Sequence, residues 1–108
     1  MTVQTLAGLD GFCALTCPQP DREICGAYVG DLLSWVMGRA EADNVWITIM
    51  TNINIVAVAS LADVSCILLA EGVKPEQSVL DTAEAKGVNI LQSAKPIFET
   101  AALLAQTV

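Results

Sequence analysis

Residues Val45 to Ala70, VWITIMTNINIVAVASLADVSCILLA, are the most continuously apolar part of the chain. It divides into a β-branched run from Val45 to Met50, a polar hinge at Thr51 to Asn54, an almost wholly apolar run through Ala62, and a second apolar run from Val64 to Ala70. Strands that are apolar on both faces are those covered on both sides, as in a parallel sheet under helices. The stretch therefore predicts a strand, a buried or interface-forming helix capped by Thr51 or Asn52, and a second strand, together at the sheet's centre. Thr48, Thr51, Asn52, Asn54, Ser60 and Asp63 break its apolar character at short intervals, so it does not supply the roughly 20 apolar residues of a membrane span.

Downstream, Glu71 and Gly72 end the second strand, and Pro75 is placed for the first turn of a helix. Val79, Leu80 and Ala83 mark the inner side of that helix. Glu76, Gln77, Asp81, Glu84 and Lys86 mark its solvated side, and Gly87 is the expected C′ residue. A strand over Val88 to Leu91 follows. Pro96 then begins a last helix with Ile97, Ala101 and Leu104 beside Phe98, Ala102 and Ala105 on its apolar face.

Upstream, Asp31 is the expected N-cap of a helix carrying Leu32, Trp35, Val36 and Ala40, its carboxylate accepting the Ser34 N–H. Glu23 to Tyr28 reads as a strand, Pro18 and Pro20 as a loop, and Phe12 to Leu15 as an edge strand. Thr2 caps a short first helix over Thr2 to Leu9, which the glycine pair Gly8 and Gly11 ends before the apolar run from Phe12. Strands and helices alternating at this spacing predict an α/β fold with a mainly parallel sheet, helices on its faces and repeated βαβ units. We read residues 1–108 as a single domain, with 1–21 supplying an N-terminal helix and an edge strand.

Twelve acidic against five basic side chains give a net charge of −7, which opposes the phosphate neutralisation that nucleic-acid and anionic-membrane binding require. The first residues show neither a signal nor a transit peptide pattern, so a cytoplasmic location is expected. Histidine is absent, which removes the commonest general acid–base group and every Ser–His or Cys–His dyad. Neither GxxxxGK[ST] nor GxGxxG occurs, so kinase, NTPase and dinucleotide readings lack support, and no enzyme activity and no cofactor is expected.

In a parallel sheet a ligand crevice lies beyond the carboxyl ends of the strands, where helices begin. The corresponding loops nominate Tyr28, Gly30, Asp31, Thr51, Asn52, Asn54, Glu71 and Gly72 as ligand-binding candidates. Asp31 and Glu71 as a Mg²⁺ pair is the sharper reading of two of them. Helix caps and solvated turns explain the same side chains, and no metal site is expected. Cys13, Cys17, Cys25 and Cys66 match no closed zinc spacing, and cysteine often serves as a small core hydrophobe.

The segments REICGAYVGDLLSWVMGRA, VWITIMTNINIVAVA and ILLAEGVKPEQ resemble a DRTGG domain, especially its small stand-alone members, over about Arg22 to Ala105. The resemblance implies a compact, self-associating α/β fold, similar to the N-terminal part of HPr kinase, in a regulatory or sensing role with nucleotide-type ligands. It does not imply phosphotransfer. Where relatives often read TGG, this chain has Cys25, Gly26 and Ala27, and where they often carry histidine after the hinge threonine it has Asn52. Asparagine caps and hydrogen-bonds but does not titrate near neutral pH.

The leading expectation is a non-catalytic regulatory domain binding a small nucleotide-type ligand. The alternative is a homodimeric structural or interaction module, able to dock a larger enzyme, with its apolar excess on Asn54 to Ala62 and the last helix. A third reading is a redox or metal sensor built on Cys13, Cys17 and Cys25.

Overall fold

The structure is a computed structural model that describes all residues from 1 to 108. Ten elements follow one another: α1 (Val3–Ala7), β1 (Phe12–Thr16), β2 (Ala27–Val29), α2 (Leu33–Arg39), β3 (Val45–Thr48), α3 (Asn54–Ala62), β4 (Cys66–Leu69), α4 (Gln77–Lys86), β5 (Ile90–Ser93) and α5 (Ile97–Thr107). The α/β class and the repeated strand–helix–strand units are as the sequence predicts. The five strands form one sheet in the order β1-β5-β4-β3-β2, with β2 to β5 parallel and β1 antiparallel to β5.

Alternation along β3 and β4 creates two cores. Trp46, Ile67 and Leu69 face α2, α3 and α4, meeting Val36, Ile55, Val56, Val79, Leu80 and Ala83. Val45, Ile47, Cys66 and Leu68 face the other way, against Val3 and Leu6 of α1 and Leu104 of α5. Every residue of β3 and β4 is buried, which is why both read as continuous apolar runs rather than alternating ones. Trp46 is fully buried, and its indole N–H donates to the Gly30 carbonyl at 2.9 Å, satisfying the one polar group that its burial would strand.

The amino edge of the sheet is sealed by a chain of buried polar side chains, each immediately before a strand. Asn44 Nδ2 donates to the Cys25 carbonyl at 2.8 Å, and Ser65 Oγ donates to the Asn44 carbonyl at 2.9 Å. Asn89 Nδ2 donates to the carbonyls of Ser65 at 3.0 Å and Gln19 at 2.8 Å, while its Oδ1 accepts the Gln19 N–H at 2.9 Å. Outside this chain Arg22 clamps two turns, donating to Asp43 Oδ1 at 3.0 Å and to Asp63 Oδ1 at 2.7 Å. Asp43 and Asp63 both adopt positive φ, and the shared guanidinium holds those turns closed.

Several local expectations need correction. Asp31 does not cap α2: its Oδ1 accepts Thr48 Oγ at 2.7 Å and the Ile49 N–H at 3.3 Å, and α2 starts at Leu33 without a side-chain cap. The same bond ends β3 at Thr48, two residues earlier than the apolar pattern predicts, because it diverts the Ile49 N–H from the ladder. The strand expected from Glu23 is only Ala27–Val29. Ile24 instead donates its N–H to the Met1 carbonyl beside α1, and Gly26 turns the chain at φ 73°. Pro75 lies just before the N-cap of α4, Glu76, not in its first turn. Strand β5 is Ile90–Ser93, shifted two residues from the expected Val88 to Leu91 because Asn89 belongs to the polar chain.

Candidate functional site

Unlike the amino edge, the carboxyl edge is open, and its loops lie between strand ends and helix starts. After β3, Thr51 to Ile53 turn into α3. Asn52 Oδ1 accepts the Asn54 N–H at 2.9 Å, and the Ile55 N–H donates to the Asn52 carbonyl at 3.2 Å, so asparagine fastens the first turn of this helix. After β4, Lys74 and Pro75 lead into α4, whose N-cap Glu76 makes no side-chain capping bond.

These two helix starts enclose a groove of about 440 Å³ lined by Thr51, Asn52, Ile53, Lys74, Glu76, Ser78 and Val79. The backbone N–H groups of Asn52, Ile53, Gln77 and Ser78 make no hydrogen bond within the protein. Free N–H groups at two helix starts, each carrying the positive end of a helix dipole, favour an anion between them. Lys74 and Glu76 add one positive and one negative side chain to the lining, and the Lys74 ammonium makes no ion pair within the chain, which leaves it available to an anion. Ile53 and Val79 supply the apolar part of the lining.

Only Thr51 and Asn52 of the candidate residues line this groove. Asn54 opens α3 next to them, donating its N–H to Asn52. Tyr28, Gly30 and Asp31 lie on the β2 side. The Tyr28 ring packs so closely on Gly30 that a Cβ there would stand 3.0 Å from it. Asp31 is spent on the end of β3. Glu71 and Gly72 turn toward β5 instead: both have positive φ, Glu71 Oε2 accepts the Ile97 N–H at 2.9 Å to cap α5, and the Gly72 N–H donates to the Ser93 carbonyl at 2.9 Å. The eight residues therefore divide among three neighbouring structures and do not form one rim.

Sequence reasoning missed Lys74, Glu76, Ser78 and Val79 because it looked only at residues directly following strands. A usable signal was present: Lys74 is the only basic residue between Arg39 and Lys86, and it precedes a proline at a helix start.

The cysteines are dispersed. Cys13 and Cys25 are exposed, Cys17 is half-buried and Cys66 is fully buried. No three His, Cys, Asp or Glu side chains converge as metal ligands. Burial, and secondarily the nearby Glu84 carboxylate, raises the Cys17 thiol pKa above its ordinary value. Burial pushes the Cys66 thiol up to about 12, making it a core hydrophobe and not a nucleophile. A second hollow, of about 110 Å³, lies at the sealed amino edge against Gln19, Arg22, Asp63 and Lys86.

With this architecture in view, the chain belongs to the DRTGG domain family, whose profile matches residues 26–107. The match begins at Gly26, whose positive φ and close approach to the Asn44 amide, with a Cβ at only 3.2 Å, require glycine. Among solved structures the fold is similar to the CBS and DRTGG domains of the regulatory region of Clostridium perfringens pyrophosphatase, complexed with the activator diadenosine tetraphosphate. The TM-score is 0.64 at 15% sequence identity, over 95% of this chain and 47% of that one. The chain thus spans just under half of that regulatory region, and at this identity the likeness is one of fold. Comparison with curated proteins finds no match. No helix is long and apolar enough to cross a membrane.

Proposed function

We propose that this chain is a non-catalytic regulatory domain whose groove between the starts of α3 and α4 binds a small phosphorylated ligand of nucleotide type. The observation that carries the reading is the pairing of free backbone N–H groups from two helix starts with Lys74 around one groove. Family membership supports it, since a DRTGG relative is part of an activator-bound regulatory region. In this reading the phosphate lies between Asn52, Ile53, Gln77 and Ser78, with Lys74 as counter-ion and Thr51 donating its hydroxyl. Tyr28, Gly30 and Asp31, with Glu71 and Gly72, shape the flanking loops and do not touch the ligand.

Binding there would fasten α3 to α4. Because α3 is packed between α2 and α4, a ligand that fixes its start alters how it seats against α2, which gives the domain a route from groove to outer surface. A larger enzyme partner would read that change.

Thermal-shift screening against adenine and guanine mono-, di- and triphosphates and dinucleoside polyphosphates, followed by calorimetry, tests the proposal. One saturable binder is expected, and Lys74→Glu should abolish its binding without lowering the melting temperature of the free protein. Binding unaffected by Lys74→Glu, or no binder in the panel, would overturn it.

A further inference from the structure

We propose that the free edge of β2, beside the exposed flank of α2, docks an extended segment of a partner protein, which adds to the sheet as a further strand and carries one carboxylate opposite Arg39. The residues concerned lie outside the groove, so either reading can fail without the other.

Strand β2 is an outer strand of the sheet, and its pairing with β3 uses only half of its backbone groups. The Gly26 carbonyl accepts the Val45 N–H at 3.0 Å and the Gly30 N–H donates to the Ile47 carbonyl at 3.1 Å, so Tyr28, between them, also turns its backbone groups to β3. Ala27 and Val29 therefore point their N–H and carbonyl groups away from the sheet, and no other segment of the chain bonds to them. Both residues are exposed, Val29 by 47%. The opposite edge, β1, is interrupted by a bulge between Ala14 and Thr16, whereas β2, short as it is, carries no bulge, proline or charged residue. Unpaired groups on such an edge are the template for strand addition.

Helix α2 supplies a wall above this edge. Val36 is its fully buried residue and faces the sheet, while Leu32, Trp35 and Arg39 follow at i, i+3 and i+7 along one exposed stripe. In the right-handed crossover from β2 to β3 that stripe falls on the flank of α2 away from α3, over the free edge. Leu32 is 54% exposed and Trp35 51%. On the other face of the sheet Ala27 and Val29, in register with Val45 and Ile47, leave a second uncovered apolar strip. An added strand presents alternate side chains to these two strips.

Charge selects the occupant. The Arg39 guanidinium lies 3.8 Å over the Trp35 ring centroid and makes no ion pair within the chain. A guanidinium held by its flat face keeps its in-plane N–H donors for a carboxylate. The chain's net charge of −7 repels a polyanion, so a single carboxylate among apolar and neutral residues is the fit. A second copy is a poorer occupant, because Ala27–Val29 offers no carboxylate to Arg39 and the copy brings a further seven negative charges.

Selection of phage-displayed random nonapeptides on the full chain, followed by titration of the enriched sequences as synthetic tryptophan-free peptides, tests this. Trp46 is buried, so a blue shift of emission on peptide addition reports on Trp35. The enriched peptides should alternate apolar with neutral residues around one aspartate or glutamate. Val29→Pro deletes an outward N–H and no bond to β3, and it follows a residue that is already extended, so the fold should hold while binding weakens about tenfold or more. Arg39→Glu should weaken binding comparably, and exchanging the peptide's acid for lysine should restore binding to that variant. Enriched peptides that bind both variants as tightly as the wild type, or none that shifts Trp35 emission, would overturn the proposal. A wild type that sediments as a dimer and becomes monomeric with Val29→Pro would also overturn it, by giving the edge to a second copy.

Discussion

Replacing Asn89 by alanine removes the side chain that ties three parts of the amino edge together. Asn89 is 2% exposed and makes three hydrogen bonds, two with the backbone of Gln19 and one with the Ser65 carbonyl. Each such bond is worth about 1 kcal/mol net, and a buried N–H or carbonyl left without a partner costs about 1–3 kcal/mol. Water can reach the Gln19 side more readily than the Ser65 side, since Gln19 lies in an outer loop and Ser65 is buried. A loss of about 3 kcal/mol follows, or roughly 15 °C in melting temperature for a domain of this size. Urea denaturation with an unchanged m-value is the assay, and Asn52→Ala is the comparison. Asn52 also accepts a backbone N–H, but at an exposed helix start, so its loss should cost only about 1 kcal/mol. If Asn89→Ala cost no more than Asn52→Ala, the polar chain would not be what closes the amino edge.

Other consequences are as direct. Gly87→Ala should destabilise by about 1–2 kcal/mol, because Gly87 ends α4 at φ 73° and a Cβ there would stand 2.9 Å from Gln19 Nε2; thermal melts check it. Under native conditions at mildly alkaline pH, iodoacetamide should label Cys13 and Cys25 quickly and Cys66 only after unfolding, as mass spectrometry of tryptic peptides would show. The folded pKa of Cys66 is raised, so its contribution to stability is intact below its ordinary value of 9.0 and lost as pH rises from there toward about 12. A single group of this kind gives a decline of about 1.4 kcal/mol per pH unit, and Cys66→Ala should flatten that part of the profile in urea titrations.

Much of the fold was legible because its signals are local. The apolar run at Asn54–Ala62, the positive-φ glycine at Gly87 and the Thr2 cap each follow from a few adjacent residues, and the structure places them as expected. What the sequence concealed depends on contacts distant along the chain. Asp31 has every feature of a helix cap, yet Thr48 and Ile49, 17 and 18 residues away, take its carboxylate. Glu71 looks like a solvated turn residue and caps a helix 26 residues on. Asn44, Ser65 and Asn89 resemble ordinary turn residues, and only strand order reveals them as one chain. The same holds for the site. Thr51 and Asn52 could be found from the strand–helix rule, but their neighbours in the groove come from a loop after a different strand, and strand adjacency is a tertiary fact.

Binding of a phosphorylated ligand in the groove between α3 and α4 underlies the proposed regulatory role. An amide-resolved NMR titration with the best nucleotide from the binding screen tests it most directly. The largest shifts are predicted at Asn52, Ile53, Gln77 and Ser78, whose N–H groups have no partner in the free protein, with smaller ones along α3. Saturable shifts centred on Gln19, Arg22 and Gly87 at the opposite edge, or none at millimolar nucleotide, would contradict it.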